Sequence, residues 1–240
     1  MGNKEKKFYI TTPIYYVNDV PHIGHAYTTV ICDTIANFNK WLGNEVNFLT
    51  GTDEHGQKVE KSALKANMDP QTFTDNVSTS FKKLASKLEI NNTDFIRTTE
   101  DRHIKSVKHL WNILVNKGDI YIDKYSGWYS IRDEAFYSND EIIEDKNGKK
   151  LAPNGSEVEW LEEPSYFFKL SSWQDKLLKF YEKNPDFISP KSRYNEVLSF
   201  VNSGLEDLSI SRTTFNWGIQ VPDNNDHVIY VWLDALTNYI

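Results

Sequence analysis

The sequence predicts an α/β fold: a doubly wound parallel sheet interrupted by a mixed α+β insertion. Three observations predict it. The first 50 residues alternate between a strand-like run, a helical apolar stripe and a second strand-like run. The middle of the chain is aromatic and rich in turn residues, and residues 227–240 return to a near-continuous apolar run. Strands that alternate with helices favour a parallel sheet with right-handed connections.

The first 51 residues predict a strand–helix–strand unit. Residues 8–14 and 45–51 are rich in β-branched and aromatic side chains, which indicates two strands. Between them, apolar residues recur at helical spacing over 22–42, and the pattern stops at Gly43, a common residue at helix ends. The remaining stretch, 15–21, is predicted to be a connecting loop.

The next part of the chain predicts three helices and one more strand. The helices cover 57–67, 70–89 and 100–119, and the strand covers 94–98. The last helix is strongly amphipathic. Its apolar face comprises Ile104, Val107, Leu110, Trp111, Leu114 and Val115. His103 and His109 on the same helix are predicted to lie at the surface.

We divide the chain into three parts. Residues 1–117 are the first half of the α/β domain, 118–226 are a connective insertion, and 227–240 begin the second half. The apolar run in 227–240 predicts a buried parallel strand that enters a helix.

Composition excludes several classes of protein. The 240 residues carry a net charge of −7, which argues against a broadly basic nucleic-acid surface but leaves room for a local basic patch. The single cysteine, Cys32, cannot form an intrachain disulfide, and a reducing cytoplasm is expected. The basic start, MGNKEKK, is not followed by an unbroken apolar run, so neither a signal peptide nor a membrane segment is predicted.

The stretch PHIGH, 21–25, lies where the first helix should begin. Two interpretations stay open. His22 and His25 could cap the helix, or they could donate hydrogen bonds to a phosphate, which helix N-termini favour. Gly24 would then let a ligand approach the backbone. The usual glycine-rich nucleotide loops are absent, so a nucleotide site would be of another type.

Two further stretches could contribute to a ligand site. Asp53 in TGTDEHG follows the second strand and could pair with a ligand ammonium, although a capping aspartate in a polar turn is equally consistent. In YVWLDALTNY, Trp232, Ala235 and Tyr239 follow helical spacing. They could line an apolar pocket, or they could pack in the core.

Several motifs occur together in one order. YITTPIYYVNDVPHIGHAYTTV and EVNFLTGTDEHGQKV resemble the start of class I aminoacyl-tRNA synthetases. GWYSIRDEAF, GLEDLSISR and YVWLDAL resemble methionyl-tRNA synthetases in particular, and the resemblance covers essentially the whole chain. It implies a Rossmann-like catalytic domain of the HIGH type and a methionine–tRNA ligase of protein biosynthesis. Such an enzyme forms methionyl-adenylate from methionine and ATP, then transfers methionine to the 3′-terminal adenosine of tRNA(Met).

The resemblance also implies residue roles. His22 and His25 would be catalytic and contact the ATP phosphates, while Gly24 would lie against the adenine. Asp53 would hold the methionine ammonium. The rest of the methionine site would be Ile14, Tyr16, Trp232, Ala235 and Tyr239. Asp33 and Arg212 also lie at matching motif positions and would have supporting roles.

Two departures from the family pattern shape the expectations. The insertion has no cysteine, so the chain resembles the zinc-free type: no resident metal is expected, Mg²⁺ accompanies ATP, and side-chain packing alone should hold the insertion. The Lys-Met-Ser-Lys-Ser loop and the anticodon-binding domain are also missing. We therefore expect an N-terminal fragment that is monomeric, cytoplasmic and inactive alone.

Two other functions stay open at this point. One is another class I synthetase or a small HIGH-type nucleotidylyltransferase, although the long insertion argues against the latter. The other is a non-catalytic binding domain, such as a truncated paralogue. Pyrophosphate exchange by the parent enzyme, tested across amino acids, would decide on the first, and the sequence of the source gene beyond Ile240 would decide on the second.

Overall fold

A computed structural model describes residues 6–133, 135–146 and 148–240. The basic N-terminal residues 1–5 lie outside the described residues, as do Glu134 in the GWYSIRDEAF motif and Asn147 in the charged turn.

A parallel sheet forms the first part of the fold. Its strands are β1 (Lys7–Thr11), β2 (Tyr15–Tyr16), β3 (Glu45–Asp53) and β4 (Asp94–Arg97). Leu49 of β3 pairs with β1 on one side and with β4 on the other, and Thr52 pairs with β2 and β4 in the same way. Strand β3 is therefore central, with β1 and β2 along one edge and β4 along the other. The predicted parallel strand–helix–strand unit is confirmed.

The loop predicted over 15–21 is wrong at its start, because Tyr15 and Tyr16 form strand β2. Between Thr11 and Tyr15 the chain advances four residues, whereas their partners on β3, Leu49 and Thr52, are three apart. The extra residue is a bulge next to Pro13, which has no N–H to donate to the ladder. The bulge moves Ile14 away from regular pairing.

Four helices occur along this part of the chain, and their bounds are close to the predicted ones. They are α1 (Ile23–Trp41), α2 (Gln57–Lys65), α3 (Pro70–Lys87) and α4 (Asp101–Asn116). Helix α3 begins as its sequence indicates: the Asp69 carboxylate accepts from the Thr72 N–H at 3.0 Å, and Pro70 takes the first helical position. No helix in the described part of the chain is long and apolar enough to cross a membrane.

The expectation that His103 lies at the surface is wrong, because His103 is only 3% exposed. It stands four residues before Val107, which puts it on the buried face of α4. His109 is exposed, as expected.

The insertion is built on a long antiparallel ribbon. Its strands are β5 (Ile120–Ser130), β6 (Ala135–Tyr137), β7 (Ile143–Glu144), β8 (Lys150–Leu151) and β9 (Glu159–Phe168). Strands β5 and β9 pair from Ile120 opposite Phe168 to Tyr129 opposite Glu159. Two helices follow, α5 (Gln174–Lys183) and α6 (Lys191–Asn202), and then β10 (Leu208–Ser209), which adds to β9.

Hydrogen bonds hold the tip of the insertion, so the expectation that packing alone would do so is wrong. The hydroxyls of Ser130 and Ser156 lie 2.9 Å apart, and both serines are buried. Ser156 and Tyr137 also donate to the Asp133 carboxylate, Tyr137 at 3.0 Å. Burial raises the pKa of Asp133, but these hydroxyl hydrogen bonds outweigh it and leave the pKa below its usual value.

The end of the chain differs from its prediction in strand direction. Strand β13 (Asn224–Ile229) pairs antiparallel with β11 (Ser211–Arg212) and β12 (Gln220–Val221), so the predicted parallel strand is wrong, although its end is buried as expected. Helix α7 (Val231–Leu236) follows, and then a 3₁₀ turn over Thr237–Tyr239. The domain boundaries stay predictions.

The core joins the insertion to the first half of the chain. One buried cluster places Val107 and Trp111 of α4 against Ile120 of β5 and Ile229 of β13. A second packs Phe48 of β3 beneath α1. Helix α4 therefore joins the insertion to the first half of the chain, while a separate cluster packs the parallel sheet against α1.

Replacing Phe48 by alanine should destabilise the protein by about 3–5 kcal/mol, because Phe48 is fully buried and its loss leaves a cavity. Urea unfolding followed by circular dichroism measures the change. Phe38→Ala is the matched control, since Phe38 is 55% exposed on α1, and it should stay within about 0.5 kcal/mol of wild type. Equal losses in the two variants would contradict the assigned core.

Candidate active site

One pocket brings together the residues that the sequence assigned to an amino-acid site. Its volume is about 440 Å³, within the range of small-molecule sites. The six predicted residues all line it: Ile14, Tyr16, Asp53, Trp232, Ala235 and Tyr239.

Three parts of the fold position these side chains. Ile14 and Tyr16 come from the bulge and strand β2, and Asp53 is the last residue of β3, where ligands of parallel sheets bind. Trp232 and Ala235 lie one turn apart on α7. The backbone N–H of Ile14 donates to the Tyr239 hydroxyl at 2.9 Å, so the bulge is joined directly to the segment after α7.

Trp232 marks the rim of the pocket. Its side chain remains 62% exposed although it lines the cavity. Ala235 beside it leaves room that a larger side chain would fill. The apolar wall is therefore open to solvent on one side.

Sequence reasoning assigned no role to two further residues of this pocket, Arg132 and Asp133. They lie in the turn after β5, so the insertion supplies one wall of the pocket. The only signal for them was the GWYSIRDEAF motif, which contains both residues.

The chain after Asp53 is anchored by a buried ion pair. Glu54 is fully buried and accepts two hydrogen bonds from Arg97 of β4, at 2.7 and 2.9 Å. The hydroxyls of Thr52 and Thr99 also donate to Glu54, each at 2.6 Å. A buried charge needs such complete pairing, because desolvation is costly. The end of β3 is therefore held rigidly against β4.

His55 and His103 contact a carboxylate that sequence reasoning did not single out, Asp234 of α7. Asp234 is fully buried, and its two oxygens lie 2.6 Å from His55 Nδ1 and 2.6 Å from His103 Nε2. Burial raises the pKa of Asp234, but the two histidines outweigh it and lower the pKa below its usual value. An ionised carboxylate only accepts, so both nitrogens carry hydrogens.

One sequence feature could have indicated this cluster, namely a carboxylate inside an apolar run. In HVIYVWLDAL, Asp234 is the only charged residue after the initial histidine. A buried carboxylate requires donors, and only the folded chain shows that His55 and His103 supply them.

His22 and His25 cap helix α1, as one of the two interpretations held. The His22 Nδ1 accepts from the Gly24 N–H at 3.1 Å, and the His25 Nδ1 accepts from the His22 N–H at 3.1 Å. Because each Nδ1 is an acceptor, the ring hydrogen of each histidine lies on Nε2. Burial, and then the neighbouring His22, lower the pKa of His25, which favours the neutral ring.

His22, His25 and Gly24 do not line the 440 Å³ pocket. Tyr15 connects the start of α1 to the pocket. Tyr15, between Ile14 and Tyr16, packs its ring edge-on against His25 at 4.8 Å. A Cβ on Gly24 would stand 2.9 Å from the His22 ring, so a side chain there would disturb the cap.

The two residues given supporting roles both make contacts within the fold. Asp33 of α1 accepts from the backbone N–H of Asn91 at 2.7 Å, just before β4. The guanidinium of Arg212 lies 4.2 Å from the Tyr230 ring and 4.8 Å from the Phe136 ring. It thereby connects the insertion to the start of α7 through cation–π contacts.

A basic cleft adjoins the pocket. Its volume is about 530 Å³, and it shares Lys58 and Arg132 with the pocket. Lys61 and Lys65 continue the same face of α2 along the cleft. Glu157 also lines the cleft, but against four cationic side chains, so on a chain of net charge −7 the cleft is a local concentration of positive charge.

Among residues 6–133, 135–146 and 148–240, no group of three or more His, Cys, Asp or Glu side chains could hold a metal ion. The zinc-free assignment stays a prediction.

Comparisons with known proteins agree with one another. The family described as tRNA synthetases class I (M) matches residues 8–240. A methionine–tRNA ligase of Rickettsia bellii is 66% identical over 233 residues, which are 97% of this chain and 45% of the relative. The ligase of Rhizobium meliloti is 55% identical over 233 residues, with the same shares covered. The chain thus spans slightly less than half the length of these relatives.

Solved structures that resemble this chain include methionyl-tRNA synthetases. The methionyl-tRNA synthetase of Mycobacterium tuberculosis in complex with methionyl-adenylate has a TM-score of 0.93 at 50% identity, over 98% of this chain and 46% of the relative. The free-state structure of the Mycobacterium tuberculosis enzyme has a TM-score of 0.81 at 46% identity, over 100% of this chain and 46% of the relative.

Asp234→Asn should lower the free energy of unfolding at pH 7 by on the order of 2 kcal/mol, because hydrogen bonds to charged groups contribute roughly 1.5–3 kcal/mol. The lowered pKa of Asp234 gives this difference its pH dependence. The stabilisation is present above the unfolded-state pKa of about 3.9, and it is lost as the pH falls through that value towards the folded-state pKa.

Urea unfolding of both proteins between pH 7 and pH 3 measures the difference. The exposed Asp226→Asn is the control and should show little difference at any pH. A difference for Asp234→Asn that stays constant down to pH 3 would contradict a buried ionised carboxylate.

Proposed function

The chain belongs to the tRNA synthetases class I (M), and from that premise we propose that it forms the amino-acid-activating part of a methionine–tRNA ligase. The observation that carries the proposal is the 440 Å³ pocket, which combines a carboxylate at the end of β3 with an apolar wall from α7. A methionine needs both features, one for its ammonium and one for its thioether side chain.

In this proposal the pocket binds methionine by its two ends. Asp53 pairs with the ammonium in a charge-assisted hydrogen bond. Ile14, Tyr16, Ala235 and Tyr239 surround the side chain, and the exposed Trp232 closes over it. Sulfur–aromatic contacts favour a thioether in such surroundings. The relative with TM-score 0.93 is a complex with methionyl-adenylate, which supports this occupant.

The first reaction joins methionine to ATP. A methionine carboxylate oxygen attacks the α-phosphorus, the bond from that phosphorus to the β-phosphate oxygen breaks, and pyrophosphate leaves. His22 and His25 stand at the N-terminus of a 19-residue helix, where backbone N–H groups and the helix dipole favour anions. The cap keeps Nδ1 of each ring occupied, so the Nε2–H groups are the donors towards phosphate oxygens. Mg²⁺ accompanies the phosphates of ATP.

Arg132 adds a positive charge to the site, in addition to the Nε2–H donors of His22 and His25. It lines both the pocket and the basic cleft, so it borders the place where negative charge develops. Its position on the insertion makes activation depend on how the insertion sits over the sheet. Asp133 beside it is held ionised by the hydroxyls at the insertion tip.

The second reaction transfers methionine to tRNA. A hydroxyl of the 3′-terminal adenosine attacks the carbonyl carbon of methionyl-adenylate, AMP leaves and the hydroxyl proton is released. We propose that the basic cleft along Lys61 and Lys65 of α2 receives the phosphates of the tRNA acceptor end, since lysine-lined grooves attract nucleic-acid backbones. The tRNA(Met) partner and the cytoplasmic location belong to this proposal.

The described chain is a part of that enzyme. It spans about 45% of the relatives' length, and its sequence holds no Lys-Met-Ser-Lys-Ser loop. We therefore propose that the 240 residues alone do not charge tRNA, and their monomeric state stays a prediction.

In the full-length parent enzyme, Asp53→Asn should weaken methionine binding by about tenfold or more, because a charge-assisted hydrogen bond contributes roughly 1.5–3 kcal/mol. Calorimetric titration with methionine measures the dissociation constant. Asp226→Asn is the control, an exposed carboxylate outside the pocket. Unchanged binding in Asp53→Asn would refute the assignment of the ammonium site.

In the same enzyme, His25→Asn should lower the rate of methionine-dependent pyrophosphate exchange by on the order of 10²–10³, the usual cost of removing one donor to transition-state charge. Methionine affinity should stay close to wild type, since His25 does not line the pocket. His109→Asn, at an exposed position on α4, should exchange at the wild-type rate. Faster exchange with leucine or cysteine than with methionine would reverse the substrate assignment.

A further inference from the structure

The cluster of Asp234, His55 and His103, called here the Asp234 cluster, takes no part in the proposed chemistry. None of its three residues lines the pocket. All three are buried, with exposures of 0% for Asp234, 5% for His55 and 3% for His103. Burying three ionisable groups is costly, so their retention calls for a reason.

The position of the cluster relative to the pocket suggests that reason. His55 follows Asp53 by two residues, and Asp53 is the proposed ammonium site. Asp234 stands between Trp232 and Ala235, which form the apolar wall. The hydrogen bond from His55 to Asp234 therefore joins the two halves of the pocket across 179 residues of sequence.

His103 provides the second hydrogen bond to Asp234. Its helix, α4, packs in the core with Val107 and Trp111, so His103 is held by a large buried face. Asp234 consequently has one oxygen bound to the segment of Asp53 and the other bound to the fixed core. Two directional hydrogen bonds from different sides restrict both the rotation and the sliding of α7, whereas apolar packing is not directional.

We propose that the Asp234 cluster is a positioning device for amino-acid recognition. It sets the separation between the Asp53 carboxylate and the apolar wall of α7, so that one ligand can engage both with its ammonium and its side chain. The inference rests on the proposed function, because it concerns the same pocket. Its specific consequence is that the ammonium contact depends on residues that never touch the ligand.

Two ligands separate this role from a merely structural one. Methionine engages both halves of the pocket, whereas its desamino analogue, 4-(methylthio)butanoate, lacks the ammonium and engages only the apolar wall. The ratio of their dissociation constants, measured by calorimetry on the full-length parent enzyme, reports the ammonium contact. In Asp234→Asn we expect methionine affinity to fall about tenfold or more and the ratio to move towards one. The affinity for the desamino analogue should change at most about twofold.

Substitutions of the histidines provide a matched pair. In His55→Asn the amide nitrogen can replace the Nδ1 donor, so the ratio should stay near the wild-type value. In His55→Leu the donor is lost, and the ratio should collapse as in Asp234→Asn. The exposed His109→Leu is the control for a histidine replaced outside the cluster. Because the histidine pair does not depend on the stability of Asp234→Asn, it tests the proposal even if that variant fails to fold.

The outcomes are distinct. If Asp234→Asn and His55→Leu weaken both ligands equally and leave the ratio unchanged, the cluster only stabilises the fold and the inference is overturned. If the wild-type enzyme binds both ligands equally, or Asp53→Asn leaves the ratio unchanged, the proposed ammonium site itself fails, and the inference fails with it. A ratio that collapses in His55→Leu and returns in His55→Asn supports the positioning role.

Discussion

The site depends on one fully buried carboxylate. Asp234 receives hydrogen bonds from two histidines that belong to different parts of the chain, one at the end of the central strand β3 and one on helix α4. Helix α7 has only six residues, too few for a helix to be stable by itself in water. Its orientation follows from this anchor together with the bond from Ile14 to Tyr239. These hydrogen bonds therefore position the apolar wall of the pocket, together with the buried Val231 and the packing of Leu233 against the core.

Three consecutive side chains at the end of the central strand contact three different parts of the fold. Asp53 faces the pocket, Glu54 is bound by Arg97 of β4, and His55 is bound to Asp234 of α7. The carboxylate proposed to bind an ammonium is thus followed directly by two buried anchors, and such rigid support holds a binding group in place.

The two interpretations of the histidine pair are compatible. Capping uses Nδ1 of each ring, and phosphate binding requires a donor, which the same hydrogen bonds place on Nε2. The cap therefore selects the tautomer that phosphate recognition needs. Tyr15 then connects this helix start to the pocket, since its ring packs against His25 while its neighbours Ile14 and Tyr16 line the cavity.

Local pattern determined much of this protein. Helices α1 to α4 could be predicted from the spacing of apolar residues, from the glycine at 43 and from the capping residues at 69 and 70. The six residues that meet in the pocket could be predicted from the sequence motifs. Only the tertiary structure decided the burial of His103, the antiparallel pairing of β13 and the presence of Arg132 in the pocket wall. Each of these depends on a partner distant in sequence. A sequence period reports which face of an element is apolar, but a hydrogen bond or strand pairing is set by the residue that folding brings opposite.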